Sequence, residues 1–201
     1  GRLDASMYAE NFRTRDFLIR NYLHGTATFR QLSLEIGRGQ NLQVSCIGKS
    51  IYSDIEKEHF YRLLLPTDIT PYGTMAKFQW LGNARSLALV QQGDIVFGGE
   101  ATFRCVVLCD SSMVKTISNI HAVILRAESM PIHTKIFLGA WLRHLGELGY
   151  AQAIAVGGQG GSLAIGNFEY LPFPRFPDPK QKEIALLYHH DASPPPDQPV
   201  L

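Results

Sequence analysis

From Asn11 to Leu23 the apolar residues Phe12, Ile19 and Leu23, joined by Leu18 and Tyr22, recur at roughly helical intervals, and His24-Gly25 closes the run. This spacing predicts a short leading helix. The period then changes to two. Leu32, Leu34 and Ile36 alternate with Ser33 and Glu35, and after the turn Gly37-Arg38-Gly39-Gln40 the residues Leu42, Val44 and Cys46 repeat the alternation, which predicts two strands. Further strands are expected from Tyr61 to Leu65, Ala76 to Leu81, Ser86 to Val90, Asp94 to Phe97, Thr102 to Cys109 and His121 to Arg126, divided by Pro66, Pro71-Tyr72-Gly73, Gly82-Asn83 and Gln92-Gly93. So many short strands between turn signals predict an α+β fold, with a curled, mostly antiparallel sheet or open barrel and flanking helices.

A second helix is expected from about Thr134 to Leu148, with Phe137, Trp141, Leu145 and Leu148 along one face and Gly149 just past its end. The last begins at Asp178, where Asp178 can cap, Pro179 suits the first turn and Gln181 can reach back. Residues 1–177 thus read as one domain and 178–190 as a helix, while 191–201, rich in proline, form a disordered tail.

Composition narrows the class. The chain has 201 residues, 45% of them hydrophobic and 18% charged, as in a globular domain able to bury its own core. A net charge of +1 gives no global basic signature, so nucleic-acid contact would need the cations gathered on one face. No apolar run approaches the ~20 residues of a membrane helix, and no signal segment opens the chain, so no membrane partner and a cytoplasmic location are expected. The odd set Cys46, Cys105 and Cys109 lies in apolar, strand-like surroundings and reads as reduced core thiols.

Candidate chemistry is sparse. From Val156 to Leu163, four glycines surround Gln159 and precede Ser162, so backbone amides at Gln159, Gly160 and Ser162 can approach an anion; the same composition also suits a plain sharp loop. The Lys-Ser/Thr ending of an ATP-binding loop is missing, and so is the glycine fingerprint of a dinucleotide fold. Gly98, Gly99 and Glu100 mark a hairpin tip, either structural or facing DNA, with Glu100 able to accept from a cytosine amine and Arg104 able to donate to guanine or phosphate. Arg38, Lys49, Arg62, Lys77, Arg85 and Arg104 stand at expected strand ends and loops, where cations on a common face could grip phosphates.

For catalysis, Cys105, Cys109 and His121 could be imagined as a nucleophile with its base, but the alternating strand buries both sulfurs. His189-His190 lacks metal-ligand spacing, and methyltransferase motifs are missing, so no metal, cofactor or catalytic residue is assigned. Two rivals stay open. One is a small hydrolase or transferase using the loop from Gly157 to Ser162 as an anion site, with His144 or His121 as base; the other is a protein-interaction module.

Several segments, taken in order, resemble the target-recognition domain of type I restriction-modification specificity subunits. They are Arg2-Leu3-Asp4-Ala5-Ser6-Met7-Tyr8, Tyr61 to Ile69 with its Thr67-Asp68-Ile69 turn, Val90 to Phe97 with Gly93-Asp94-Ile95, and Asn119-Ile120-His121 with Val123 to Arg126. Gly157 to Leu163, Leu171-Pro172-Phe173-Pro174 and Lys180 to Ala185 complete the series, which covers nearly residues 1–190. The resemblance implies a non-catalytic subunit that reads duplex DNA, with residues 1–177 as the recognition domain and 178–190 as the start of a spacer helix. Its implied partners are double-stranded DNA, a modification subunit that methylates adenine, a restriction subunit and, through the spacer helix, a second recognition domain. The chain departs from the family's pattern in carrying one such domain and in ending its last helix near His190. This departure fits either an excised domain, as the lack of Met before Gly1 also suggests, or the C-terminal recognition module of a fused restriction enzyme and methyltransferase.

Overall fold

A computed structural model describes residues 5–98, 103–109, 114–155, 165–168 and 171–188. Two short helices open the chain, α1 (Ala5–Tyr8) and α2 (Glu10–Arg20). The first large sheet contains β2 (Glu35–Arg38), β6 (Ile95–Gly98), β7 (Cys105–Val107) and β9 (Ala122–Arg126) in the order β2-β9-β6-β7, all antiparallel. Because side chains alternate across a strand, Ile95, Phe97, Cys105, Val107, Val123 and Leu125 share one face, which joins the main core. Val96, Val106, Ala122 and Ile124 take the other face and meet Leu64, Ile69 and Val90. Both faces are therefore covered along β6, β7 and β9, which explains why these three strands are so apolar, whereas the edge strand β2 is mostly exposed and carries Glu35 and Arg38.

The second sheet contains β3 (Ile51–Ser53), β4 (Tyr61–Leu64), β5 (Gln79–Gly82) and β8 (Thr116–Ser118) in the order β3-β5-β4-β8, with β4 and β8 parallel. Leu64 faces the first sheet, while Tyr61, Leu63, Leu81 and Ile117 enclose a separate cluster with Leu87 and with Ile47 of the short helix α3 (Val44–Ile47). A two-stranded pair, β1 (Thr26–Ala27) with β10 (Phe173–Pro174), closes the chain's early and late parts together. The expected curled, mostly antiparallel sheet is thus two open sheets, not a closed barrel, with β4 and β8 as a parallel strand pair and a parallel bridge from Gln40 to Asn119.

Helix α4 (Ile132–Glu147) covers the first sheet, burying Ile136, Phe137, Leu142 and Leu145. At Gly139 a Cβ would stand 2.7 Å from Val107 Cγ2, so only glycine permits this close approach of helix to strand. Trp141 is half-buried, and its Nε1 donates to Pro172 O at 2.8 Å. Two short helices follow, α5 (Tyr150–Ile154) and α6 (Ile165–Phe168). Phe12 of α2 stacks on Tyr150 at 4.7 Å, and Tyr150 donates its hydroxyl proton to Asp16 at 2.6 Å, tying the leading helix to α5.

Helix α7 (Asp178–Tyr188) packs along α4. Asp178 is its first helical residue and not its cap. The Lys180 and Gln181 amides donate to Pro177 O, and Gln181 reaches back to Phe176 O at 2.7 Å. Asp178 instead pairs with Lys182 Nζ and His133 Nε2, each at 2.7 Å, and these partners hold its carboxyl below the ordinary range. A folded value below the unfolded one stabilises the protein above pH ~4 and loses that stabilisation as the pH falls through the lower value. Amide exchange in α7, corrected for intrinsic rates, should therefore accelerate relative to α4 as the pH drops below about 4. Asp178→Asn should abolish that pH dependence, and a profile unchanged from wild type would mean that the Asp178 carboxylate does not hold α7 against α4.

Two expected strands are otherwise. Residues 44–46 belong to helix α3, because Asn41 Oδ1 accepts from the Gln43 amide and redirects the chain, so Cys46 is exposed and not a core thiol. Residues 86–90 form only a bridge from Val90 to Thr116, since the Ala88 amide donates to the Gln40 side chain instead of to a neighbouring strand.

Candidate nucleic-acid interface

One pole of the molecule is built from the ends of both sheets. Arg38 at the end of β2 pairs with Val123, and Gly98 at the end of β6 pairs with Ala122. Across from it, the Gly98 amide donates to Arg104 O at 2.8 Å, just before β7 begins. The second sheet joins here. Ser118 Oγ donates to Leu64 O at 2.6 Å, while the Gly39 and Gln40 amides donate to Ala122 O at 3.1 Å and Ser118 O at 2.7 Å. A Cβ on Gly39 would overlap the Asn119 carbonyl, so the crossing of the two sheets requires glycine at that point.

The connection from β4 to β5 projects from the same pole. After the 3-10 turn Pro66–Asp68, Ile69 bridges Met75, the Ala76 amide donates to Asp68 O at 2.9 Å, and the Gly73 amide donates to Thr70 O at 3.1 Å. Two guanidinium groups hold this loop from below. Arg104 Nη1 donates to Ile69 O at 2.9 Å and Arg143 Nη1, from α4, donates to Pro71 O at 3.2 Å. Exposed Lys77 closes the loop with its ammonium 3.9 Å from Asp68.

Of the cations named from sequence, the pole brings together Arg38, Lys77 and Arg104, beside Gly98. Arg38 is exposed and donates to Ile120 O at 3.2 Å. Lys49 and Arg85 are exposed on the adjoining loop layer around α3, where Arg85 Nη1 donates to Cys46 O at 2.8 Å and Asn83 Nδ2 to Ser50 Oγ at 2.8 Å. Arg62 is half-buried within β4, donating to Thr116 Oγ1 at 3.0 Å and stacked 4.8 Å over Phe78. Gly99, Glu100, Gln159, Gly160 and Ser162 lie outside the described residues. Sequence reasoning missed Arg143, whose loop contact is 72 positions away in the chain. It also missed Tyr72, exposed in the loop between the two guanidinium anchors and Lys77.

Asp94 is 1% exposed and receives Arg126 on both oxygens, Nε at 2.9 Å and Nη2 at 2.7 Å, together with the Gln91 amide. The Asp94 bonds push the Arg126 guanidinium above its ordinary range. Burial pushes the thiols of Cys105 and Cys109 up to about 12, far from a nucleophilic thiolate. A thiol reagent at neutral pH should accordingly modify Cys46 alone in the native protein, with Cys105 and Cys109 reacting only on unfolding. Mass spectrometry of the labelled chain checks this, and rapid native labelling of either buried thiol would contradict the packing. Among the described residues no cluster of three or more metal-ligating side chains occurs, and no helix is long and apolar enough to cross a membrane.

Solved structures share this fold. The HsdS subunit from Thermoanaerobacter tengcongensis superposes with a TM-score of 0.53 at 13% identity, over 93% of this chain and 44% of that one. A chain from a structural study of complex assembly and conformational transition in the type I R-M system superposes with a TM-score of 0.52 at 12% identity, over 88% of this chain and 43% of that one. This chain therefore spans less than half the length of either. No protein-family model and no curated protein matches the sequence.

Proposed function

We propose that this chain is a DNA target-recognition domain of the type I restriction-modification specificity kind. It reads duplex sequence and itself catalyses nothing, while separate modification and restriction subunits supply methylation and cleavage. The observation that carries this reading is the placement of Arg38, Lys77 and Arg104 at neighbouring sheet ends, beside Gly98 and the loop of residues 66–77. A near-neutral chain can bind a polyanion when its cations are concentrated in this way. Lys49 and Arg85 would extend the phosphate contacts along the α3 layer, with Gly99, Glu100, Gln159, Gly160 and Ser162 as close-approach positions. Arg62 would act indirectly, fixing β4 to β8. The shared fold supports association with modification and restriction subunits, and helix α7 offers the start of a connection to a second recognition domain.

The test is a titration of the chain with labelled duplex across 50 to 200 mM salt, beside small phosphorylated ligands. The logarithm of affinity should fall linearly with the logarithm of salt, with a slope of about −0.9 for each phosphate contact. Arg38→Ala and Lys77→Ala should each reduce the slope by about 0.9. Saturable binding of a small phosphorylated ligand, with no duplex affinity at the lowest salt, would overturn the reading in favour of a small-molecule enzyme.

A further inference from the structure

Within the proposed DNA-reading pole, on which this inference rests, one side chain stands apart from the cations. Tyr72 lies in the loop of residues 66–77 and is 46% exposed. Its turn is ordered from several directions. Thr70 Oγ1 accepts from the Tyr72 amide at 3.2 Å and the Thr74 amide at 3.3 Å, and pairs with Thr74 Oγ1 at 2.9 Å. Arg104 and Arg143 fix the carbonyls of Ile69 and Pro71 on the approach to it. These two anchors come from β7's leading edge and from α4, elements distant in sequence that meet under a single turn.

Such bracing has a functional sense. An aromatic side chain has few rotatable bonds, and a turn already fixed loses little further freedom when a ligand docks on it. The flanking cations draw a polyanion toward the pole without distinguishing its bases. A flat apolar ring contacts the edge of a base pair differently, because the thymine C5-methyl group is the one apolar feature of the major-groove edge. We propose that Tyr72 is a specificity-determining residue that packs its ring against a thymine methyl in the major groove, with Arg104 and Arg143 as positioning residues beneath it.

Selection of the chain on a degenerate duplex library, followed by titration of the recovered sequence, tests this. The recovered motif should contain a thymine whose preference disappears in Tyr72→Ala, with affinity for the motif falling by about tenfold. Replacing that thymine by deoxyuridine should weaken wild-type binding by about fourfold, as expected for one methyl group withdrawn from contact, and should leave Tyr72→Ala binding unchanged. Tyr72→Phe should keep the thymine preference. The salt slope and the melting temperature should be the same in wild type and Tyr72→Ala, which separates a base contact from a phosphate contact or a folding role. A motif retained at every position in Tyr72→Ala, or lost at a position without thymine, overturns the role of Tyr72 while leaving DNA reading intact. Recovery of no motif at all overturns both.

Discussion

Asp94→Ala should destabilise the protein by about 3 kcal/mol, since it removes the buried acceptor of two charge-assisted hydrogen bonds from Arg126 and one from the Gln91 amide. Arg126 would keep its Nη2 bond to Leu89 O at 3.3 Å but lose both carboxylate contacts, and the Gln91 amide would lose its acceptor. Asp94 precedes β6 and Arg126 ends β9, so the pair fastens adjacent strands at the end of the sheet opposite Gly98 and Ala122. Against a total stability of about 5 to 15 kcal/mol for a typical domain, the loss is severe. Urea unfolding should show a lower midpoint with an unchanged slope. Asp94→Asn, which retains an acceptor for the Gln91 amide, should fall between. A midpoint shift worth less than about 1 kcal/mol would mean that the pair contributes no more than a surface contact.

Arg104→Ala should lower duplex affinity by about tenfold, on the scale of one good side-chain contact to DNA. The substitution acts twice. It removes a positive charge from the pole, which should reduce the salt slope by about 0.9 if that charge meets a phosphate. It also leaves Ile69 O without its guanidinium donor and loosens the loop that carries Tyr72. Arg104→Lys should restore most of the salt slope but not the full affinity, because a single ammonium does not reproduce the planar fork that reaches the Ile69 carbonyl. Wild-type affinity in Arg104→Ala, with or without a drop in melting temperature, would take Arg104 out of the interface.

The elements with a persistent period were legible in the sequence. β4, β6, β9, α4 and α7 fall where the alternating and helical patterns place them. The failures have a common cause, which is that a pattern of three to five residues does not specify its partner. Residues 42–46 alternate like a strand, yet the Asn41 side chain turns the chain, and the short helix that follows buries Ile47 in the second sheet's cluster. Thr116–Ser118 escaped notice because its apolar content is a lone isoleucine, although parallel pairing with β4 buries all of it. The motif Gly93-Asp94-Ile95 was visible, but its purpose depends on Arg126, which reaches it only through strand pairing.

The site was legible by residue type and not by position. Arg38 stands between Gly37 and Gly39 in the sequence, whereas Arg104 meets Gly98 only through strand pairing, its carbonyl accepting from the Gly98 amide. Their convergence rests on the Ser118 to Leu64 and Gln40 to Ser118 bonds between the sheets, which no local pattern contains. Arg62 was more legible than its inclusion among the cations suggests: it lies two positions before buried Leu64 on the same face of a strand, and its guanidinium duly turns inward over Phe78.

Hydrogen exchange of the chain, measured by mass spectrometry with and without mixed-sequence duplex at low salt, asks most directly which surface meets DNA. Slowed exchange should gather in residues 38–40, 66–77 and 119–121, with α2 and α7 unchanged. Protection confined to those two helices, and absent from all three pole segments, would contradict the assignment of the pole as the DNA-reading face.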